Sequence, residues 1–305
     1  MSGAATMEGR RGPGLGARLT DPVFLRRAFT HAAIFSAFIG VWEWAGRTGR
    51  LNDLIMPAPS AIAEALWRLY VVTGEIYWHF FVTFFEAVVG FLIGGAIGMG
   101  LAIAAALSMT FRRYIAPYAV ALNVTPGIAV TPIFIAWFGF GWSSKIALAA
   151  LIVFFPIFVN TLSGLLRTDR DTAELFRSMG ASKSQTFFKL MIPDAAPMIF
   201  AGLKIAMTGA LVGAIVAEFA SATEGIGILM QRYAHRLDIA ASIAVLLSMA
   251  LMGLFLFTMM EVADRRVVFW KHQSRLDAVS RRRRRRWGGE AAQSGSARAS
   301  GGAQA

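Results

Sequence analysis

Six stretches of the chain stay apolar for about the length a helix needs to cross a bilayer core of roughly 30 Å. They run approximately from Ala28 to Trp44, Phe80 to Leu107, Ile115 to Phe138, Ile146 to Leu166, Ala195 to Phe219 and Ile239 to Val262. The second is long enough to tilt or to project beyond the bilayer. The first is longer than the apolar segment of a secretory signal, and no convincing small-residue cleavage site follows it, so it is read as a retained helix. The pattern predicts an all-α polytopic membrane protein with six transmembrane helices.

The polar segments between the spans set the direction. With the N-terminus inside, twenty-three of the thirty Lys and Arg fall on the cytoplasmic side. Six face outward, namely Arg47, Arg50, Arg68, Lys145, Arg232 and Arg236, and Lys204 lies within the fifth span. Cytoplasmic loops carry the excess of basic residues, so both termini are expected in the cytoplasm. Residues before Arg18 and after Gly288 are rich in Gly, Ala, Ser and Arg and lack the apolar surface needed to order themselves. The expected organisation is a cytoplasmic tail over 1–27, a six-span domain over 28–266 and a basic cytoplasmic tail over 267–305. The run Arg281–Arg286 either is drawn to anionic membrane lipid, by about 1 kcal/mol per residue near the surface, or is solvated. It does not imply nucleic acid.

The cytoplasmic segment 167–194 is amphipathic. Asp171-Thr-Ala-Glu174 has the form of a capping box, with Asp in place of Ser or Thr. It is expected to open a short helix bearing Leu175, Phe176 and Met179. Gly180 then stands where a helix takes a left-handed C′ residue. Ser182-Lys-Ser-Gln185 is a second capping box. It is expected to open a helix with Phe187, Phe188 and Met191 that ends before Pro193. Bulky apolar residues on two short cytosolic helices fit a docking element. The plainer alternative is a connection whose apolar residues pack on its own helix ends.

The run Glu174-Leu-Phe-Arg-Ser-Met-Gly180, then nine residues, then Leu190-Met-Ile-Pro193 resembles the EAA loop. That loop marks permeases of binding-protein-dependent ABC importers; here Leu175 and Phe176 replace its two alanines. Pro57-Ala-Pro-Ser-Ala-Ile62 is similar to a segment that family carries before its second span. Pro126-Gly-Ile-Ala-Val-Thr-Pro132, Trp137-Phe-Gly139, Ser144-Lys145, Phe155-Pro156 and Asn160-Thr161 resemble the nitrate/sulfonate/taurine-type branch. The resemblance covers roughly Phe29 to Arg266.

The resemblance implies the ABC importer permease fold in a bacterial inner membrane. Two permeases, here expected as a homodimer with a heterodimer left open, would work with two cytoplasmic ATPases that bind the ATP and Mg. A periplasmic solute-binding protein would deliver the solute, and this chain would bind no cofactor itself. The branch implies a small organic anion such as a sulfonate or taurine, or nitrate, with heterocyclic vitamin precursors as alternatives. The residues implied to fit the ATPase cleft are Glu174, Leu175, Phe176, Met179, Gly180, Ala181, Phe187, Leu190, Ile192 and Pro193.

Other features admit more than one reading. Gly90, Gly94 and Gly98 form a small-xxx-small stripe, for packing within the subunit or for a seam between subunits. Prolines at 126 and 132 interrupt the third span, and freed carbonyls at membrane depth are tolerated where they are buried or line a cavity. Asn123, Thr125 and Thr131 are therefore pathway candidates, and Asn160 and Glu218 join them as polar groups in or at the ends of spans. Glu86 and Lys204 are the other intramembrane charges, which usually face a partner or an interior; Lys204 can also snorkel to the cytoplasmic surface. Glu218 is either an outer gate, a contact for the binding protein or a solvated helix end.

Composition removes whole classes of function. The chain is 56% hydrophobic and only 16% charged, whereas a soluble domain carries about a quarter charged residues. It has no cysteine, which excludes disulfides and thiolate chemistry. A Walker A loop needs Gly where Ser182 and Arg177 stand. The histidines, His31, His79, His235 and His272, do not fall at metal-ligand spacing, and no Gly-x-Ser-x-Gly elbow occurs. The chain is expected to be a non-catalytic permease. The competing class is a secondary transporter driven by an ion gradient, whose cue would be inverted repeats with broken helices.

Overall fold

The computed structural model describes residues 22–221 and 223–270, and all regular structure among them is helical. The expected tails therefore lie largely outside the described residues, Arg281–Arg286 included. The chain divides into two compact units.

The first unit runs to Gly74 and includes Arg232–Val245. It holds α1 (Pro22–Arg47) and α2 (Pro59–Trp67), with a π turn over Arg68–Val72. Pro59 opens α2 at a position where no N–H is needed. Glu43 of α1 accepts the Ser60 N–H at 2.9 Å and pairs with Arg47. Arg68 meets Asp238 at 2.6 Å.

The second unit comprises Glu75–Gln231 and the chain from Leu246 on. Its elements are α3 (Glu75–Leu107), α4 (Met109–Val124), α5 (Gly127–Phe138), α6 (Trp142–Leu166), α7 (Arg170–Ser178), α8 (Lys183–Thr186) and α9 (Ile192–Ser221). Helix α10 (Ile226–His235) begins in it, and most of α11 (Ile239–Val267) lies in it.

Helix α6 packs along both α3 and α9. Without a solvent-driven hydrophobic effect, helices in lipid associate through close van der Waals contact, which small residues permit. A Cβ on Gly94 would overlap the Ala150 carbonyl, and one on Gly98 would sit 2.6 Å from the Phe154 oxygen. The glycine stripe of α3 is thus a seam against α6 of the same subunit.

Among the described residues, four continuous helical stretches are long and apolar enough to cross a membrane: α3, α6, Lys183–Ser221 and α11. The pair α4 and α5 makes a fifth if it is one span, bent by 100°. The bend falls at Thr125–Pro126, whereas Pro117 and Pro132 remain inside their helices. The first expected span corresponds to α1. Arg26 and Arg27 toward one end and Glu43 and Arg47 toward the other shorten its apolar stretch, and it is not among the four.

Candidate functional site

The segment after α6 is built by local caps. Asp169 Oδ2 accepts the Thr172 N–H at 3.0 Å and the Thr172 hydroxyl at 2.6 Å, which starts α7. The expected box at Asp171–Glu174 is therefore displaced by two residues. Thr172 offers two donors to Asp169, and Asp171 instead lies in the first turn, where its charge suits the helix dipole. The Thr172 hydroxyl, then its amide, hold the Asp169 carboxyl below the usual carboxylate range.

Helix α7 ends as expected, at Gly180 with φ +79°. Ala181 N–H donates to Phe176 O at 3.0 Å and Gly180 N–H to Arg177 O at 2.9 Å, the paired bonds of a Schellman end. A Cβ at Gly180 would meet nothing within 4 Å, so the backbone conformation, rather than space, calls for glycine there. The second capping box forms with both bonds: Gln185 N–H to Ser182 Oγ at 3.2 Å and Ser182 N–H to Gln185 Oε1 at 2.8 Å.

The helix expected to stop before Pro193 does not stop. Residues Lys183–Ser221 form one continuous helical stretch, with a π turn over Phe187–Met191 in which Ile192 N–H reaches Phe187 O. The wider turn leaves a carbonyl unclaimed where Pro193 has no N–H to offer, so the proline is accommodated. Helix α8, the π turn and α9 thus run on as one helical stretch, with α7 set apart from it by the turn at Gly180.

Its side chains divide into two faces. Leu175, Met179 and Phe188 are 58%, 68% and 66% exposed, and Glu174 and Gly180 are exposed beside them. Phe187 is buried against Leu165, Ala195 and Ile199 and meets Phe188 edge-on at 5.1 Å. Phe176, Ala181, Leu190, Ile192 and Pro193 are half-buried.

The far end of α9 carries a buried polar cluster. The residue before helix α10 is Gly225, which has no side chain to cap it. The first N–H groups of the helix are taken by other helices instead. Gly225 N–H donates to His79 Nδ1 at 2.9 Å, and Ile226 N–H to Thr83 Oγ1 at 2.8 Å. Gly227 N–H donates to Glu218 Oε2 at 2.5 Å, and Thr83 Oγ1–H donates to Glu218 Oε1 at 2.5 Å. His79, Thr83 and Glu218 are all buried. Beside them Glu86 is fully buried, with Glu218 and Lys145 as charged neighbours. Neither of its carboxyl oxygens has a donor among the described residues. Lys145 donates to the Phe140 and Gly141 carbonyls at 2.8 and 3.0 Å.

Compared with known proteins, residues 77–269 match the family model of the binding-protein-dependent transport system inner membrane component, which is well over half of the chain. The chain belongs to this family. The permease is 33% identical to SsuC of Escherichia coli, a protein named for aliphatic sulfonate transport, over 70% of this chain and 81% of that one. It is 30% identical to the formylaminopyrimidine transport permease protein ThiX of Halalkalibacterium halodurans, over 80% of this chain and 97% of that one. A chain of the MetNI methionine ABC transporter, solved in inward-facing conformations, shares its fold. The TM-score is 0.57 at 16% identity, over 66% of this chain and 97% of that one. The protein is therefore a multi-pass inner-membrane permease component of a binding-protein-dependent ABC importer. ATP hydrolysis resides in a partner ATPase rather than in this chain.

In this permease the polar residues picked out for a pathway bond mostly within their own helices. Thr125 donates to Ala121 O at 2.9 Å, Thr131 to Gly127 O at 3.2 Å and Asn160 to Pro156 O at 2.8 Å. Asn123 and Thr125 are exposed, Asn160 half-buried and Thr131 buried. Lys204 pairs with Glu261 and, at 2.5 Å, with Asp264, both on α11. The residues that sequence reasoning missed are His79, Thr83 and Gly225–Gly227. The bonds of His79 and Thr83 to Gly225, Ile226 and Glu218 join positions more than a hundred residues apart, and no spacing in the sequence signals them.

Proposed function

We propose that this permease docks a cytoplasmic ABC ATPase on the exposed face formed by Leu175, Met179 and Phe188, with Gly180 as the hinge between α7 and α8. One observation carries the reading: the helical stretch that bears Phe188 runs without a break into the α9 span, while Leu175 and Met179 stand exposed just across Gly180. A force on Phe188 reaches the membrane through Phe187, seated among Leu165, Ala195 and Ile199. Glu174, Phe176, Ala181, Leu190, Ile192 and Pro193 belong to the same docking element. In this reading α1 is the first of six spans and the bent α4–α5 pair the third. Both termini lie in the cytoplasm, with tails over 1–27 and 267–305.

The solute is a small organic anion such as a sulfonate or taurine, or nitrate, delivered by a periplasmic binding protein into a cavity between two copies of the permease. The likeness to a permease named for sulfonate transport supports the class, and the likeness to one named for formylaminopyrimidine transport keeps heterocycles in the test. The chain binds no cofactor of its own in this account; ATP and Mg are the partner's.

Phe188→Asp and Met179→Asp test the docking face. Each should reach the membrane in normal amount while co-purified ATPase falls at least tenfold. Wild-type recovery of the ATPase with both variants would contradict the proposal. Uptake of labelled taurine, nitrate and a formylaminopyrimidine in cells expressing the whole importer decides the class.

A further inference from the structure

Helix α9 has an identifiable grip at each end. One end is continuous with the docking segment; the other bears Glu218, roughly 38 Å further along at 1.5 Å per residue. A helix of this kind acts as a stiff element, so what its far end holds decides what it moves. Glu218 holds two things. It accepts from Gly227 N–H, the second residue of α10, and from Thr83 of α3. Thr83 and His79 accept the two preceding N–H groups of the same turn. The start of α10 is thus capped from a distance by three buried side chains on two other helices.

Both glycines of that turn are shaped to the grip. Gly225 has φ +117° and Gly227 φ is ordinary, but a Cβ on either would run into the Glu218 carboxyl; at Gly227 it would lie 2.7 Å from Oε2. The first N–H groups of a helix carry its positive end, so a carboxylate is the favoured cap. That accounts for a fully buried glutamate at this place.

We propose that Glu218, with Thr83 and His79, is a positioning residue of the transport cycle: it ties the start of α10 to α9, so that motion imposed at the docking segment reaches the turn Gly225–Gly227. The proposal rests on the docking reading for the source of the motion, whereas the cap stands apart from it. Glu218 does not touch solute in this account. The acceptor offered to Gly227 N–H matters more than the charge, and a glutamine should serve in its place: its Oε1 accepts from Gly227 N–H while its NH2 donates to Thr83 Oγ1, whose own proton turns to His79 O.

The test is hydrogen exchange at the amides of residues 225–227 in the complex of permease and ATPase, without nucleotide and trapped with Mg-ATP and vanadate. In the wild type these amides should be protected, and trapping should change their exchange several-fold. Glu218→Ala should speed exchange at least tenfold in both states and abolish the response to nucleotide, with the ATPase still bound. Glu218→Gln should restore protection and response to within about threefold of wild type.

Wild-type behaviour of Glu218→Ala would overturn the proposal, and so would a Gln variant as defective as Ala. Thr83→Val removes the acceptor of Ile226 N–H and leaves Glu218 in place; it should give a partial version of the alanine phenotype. Should neither Glu218→Ala nor Thr83→Val accumulate as folded protein, the cluster serves folding and the positioning role is lost. If no ATPase binds the wild type, the docking reading fails, and exchange in the isolated permease still decides whether Glu218 caps the turn.

Discussion

The two ends of α9 hold their neighbours by opposite means. At the docking end every cap is local: Asp169 to Thr172, Ser182 to Gln185 and Ala181 to Phe176 span at most five residues. Leu175, Met179 and Phe188 there are left exposed. At the other end the bonds join His79 to Gly225, Thr83 to Ile226 and Thr83 to Glu218, and all of these groups are buried. A locally capped element can move as a piece without breaking its own bonds. A remotely capped turn moves only with the helices that hold it. The first arrangement suits a surface that receives a partner, and the second suits a joint that passes motion on.

The largest effect should come from the hinge of the docking end. Gly180→Val forces a β-branched residue into a left-handed backbone, which costs an L-residue about 1–2 kcal/mol, and no neighbour offers it compensating contact. Solute uptake should fall at least tenfold with membrane abundance unchanged. Uptake at the wild-type rate, with the ATPase still bound, would break the assignment of the docking end. The matching change at the other end is Gly225→Ala. Its Cβ would press on the Glu218 carboxyl, so the amount of folded protein recovered should itself drop several-fold. Immunoblotting of membranes separates the two behaviours, a moving hinge in one case and a packed joint in the other.

A smaller effect, and of opposite sign, is expected at Glu86. Its carboxyl is buried next to Glu218 without a donor. Glu86→Gln keeps the shape and supplies an amide able to donate to Glu218. A buried acceptor left unsatisfied costs about 1–3 kcal/mol, so recovering part of that should raise the thermal midpoint by a few degrees. A lowered midpoint would mean that Glu86 is paired in a way the cluster geometry does not reveal.

The smallest effect belongs to Asp169→Ala, which removes an exposed cap. Exchange should speed at the Thr172 amide while uptake changes less than twofold. Because the folded carboxyl sits below its ordinary value, its contribution to α7 is present above the unfolded carboxylate value near 4. It is lost as pH falls through the lowered one. Circular dichroism of α7-containing protein on acidification should follow that direction.

What could be read from the sequence follows the same division. The capping box at Ser182–Gln185 and the left-handed Gly180 formed where spacing placed them, since a local bond needs only its two residues at a fixed interval. The start of α7 was misplaced by two residues because Asp169 and Asp171 both present an acceptor, and only the Thr172 hydroxyl decides between them. Pro193 misled for a similar reason: the π turn that absorbs it has no sequence signature. The apolar runs located α3, α6, α9 and α11, while the 100° bend at Thr125–Pro126 was visible only as a proline. The grip on α10 could not be read at all. His79 and Thr83 are unremarkable singly, Glu218 stands out only as a carboxylate near the end of a span, and the three acquire this role only when α3 and α9 are packed together.

The absence of native cysteine permits a direct measurement of the central claim, that the exposed face of α7 and α8 receives the ATPase. A single cysteine at Met179, and in a separate variant at Val71 of the first unit, would each carry a maleimide photocrosslinker in membranes that contain the whole importer. Illumination at Met179 should give one adduct, whose partner binds ATP and whose yield changes when Mg-ATP and vanadate are added. Val71 should give no such adduct. An ATP-binding partner captured equally from both positions, or from Val71 alone, would contradict the account.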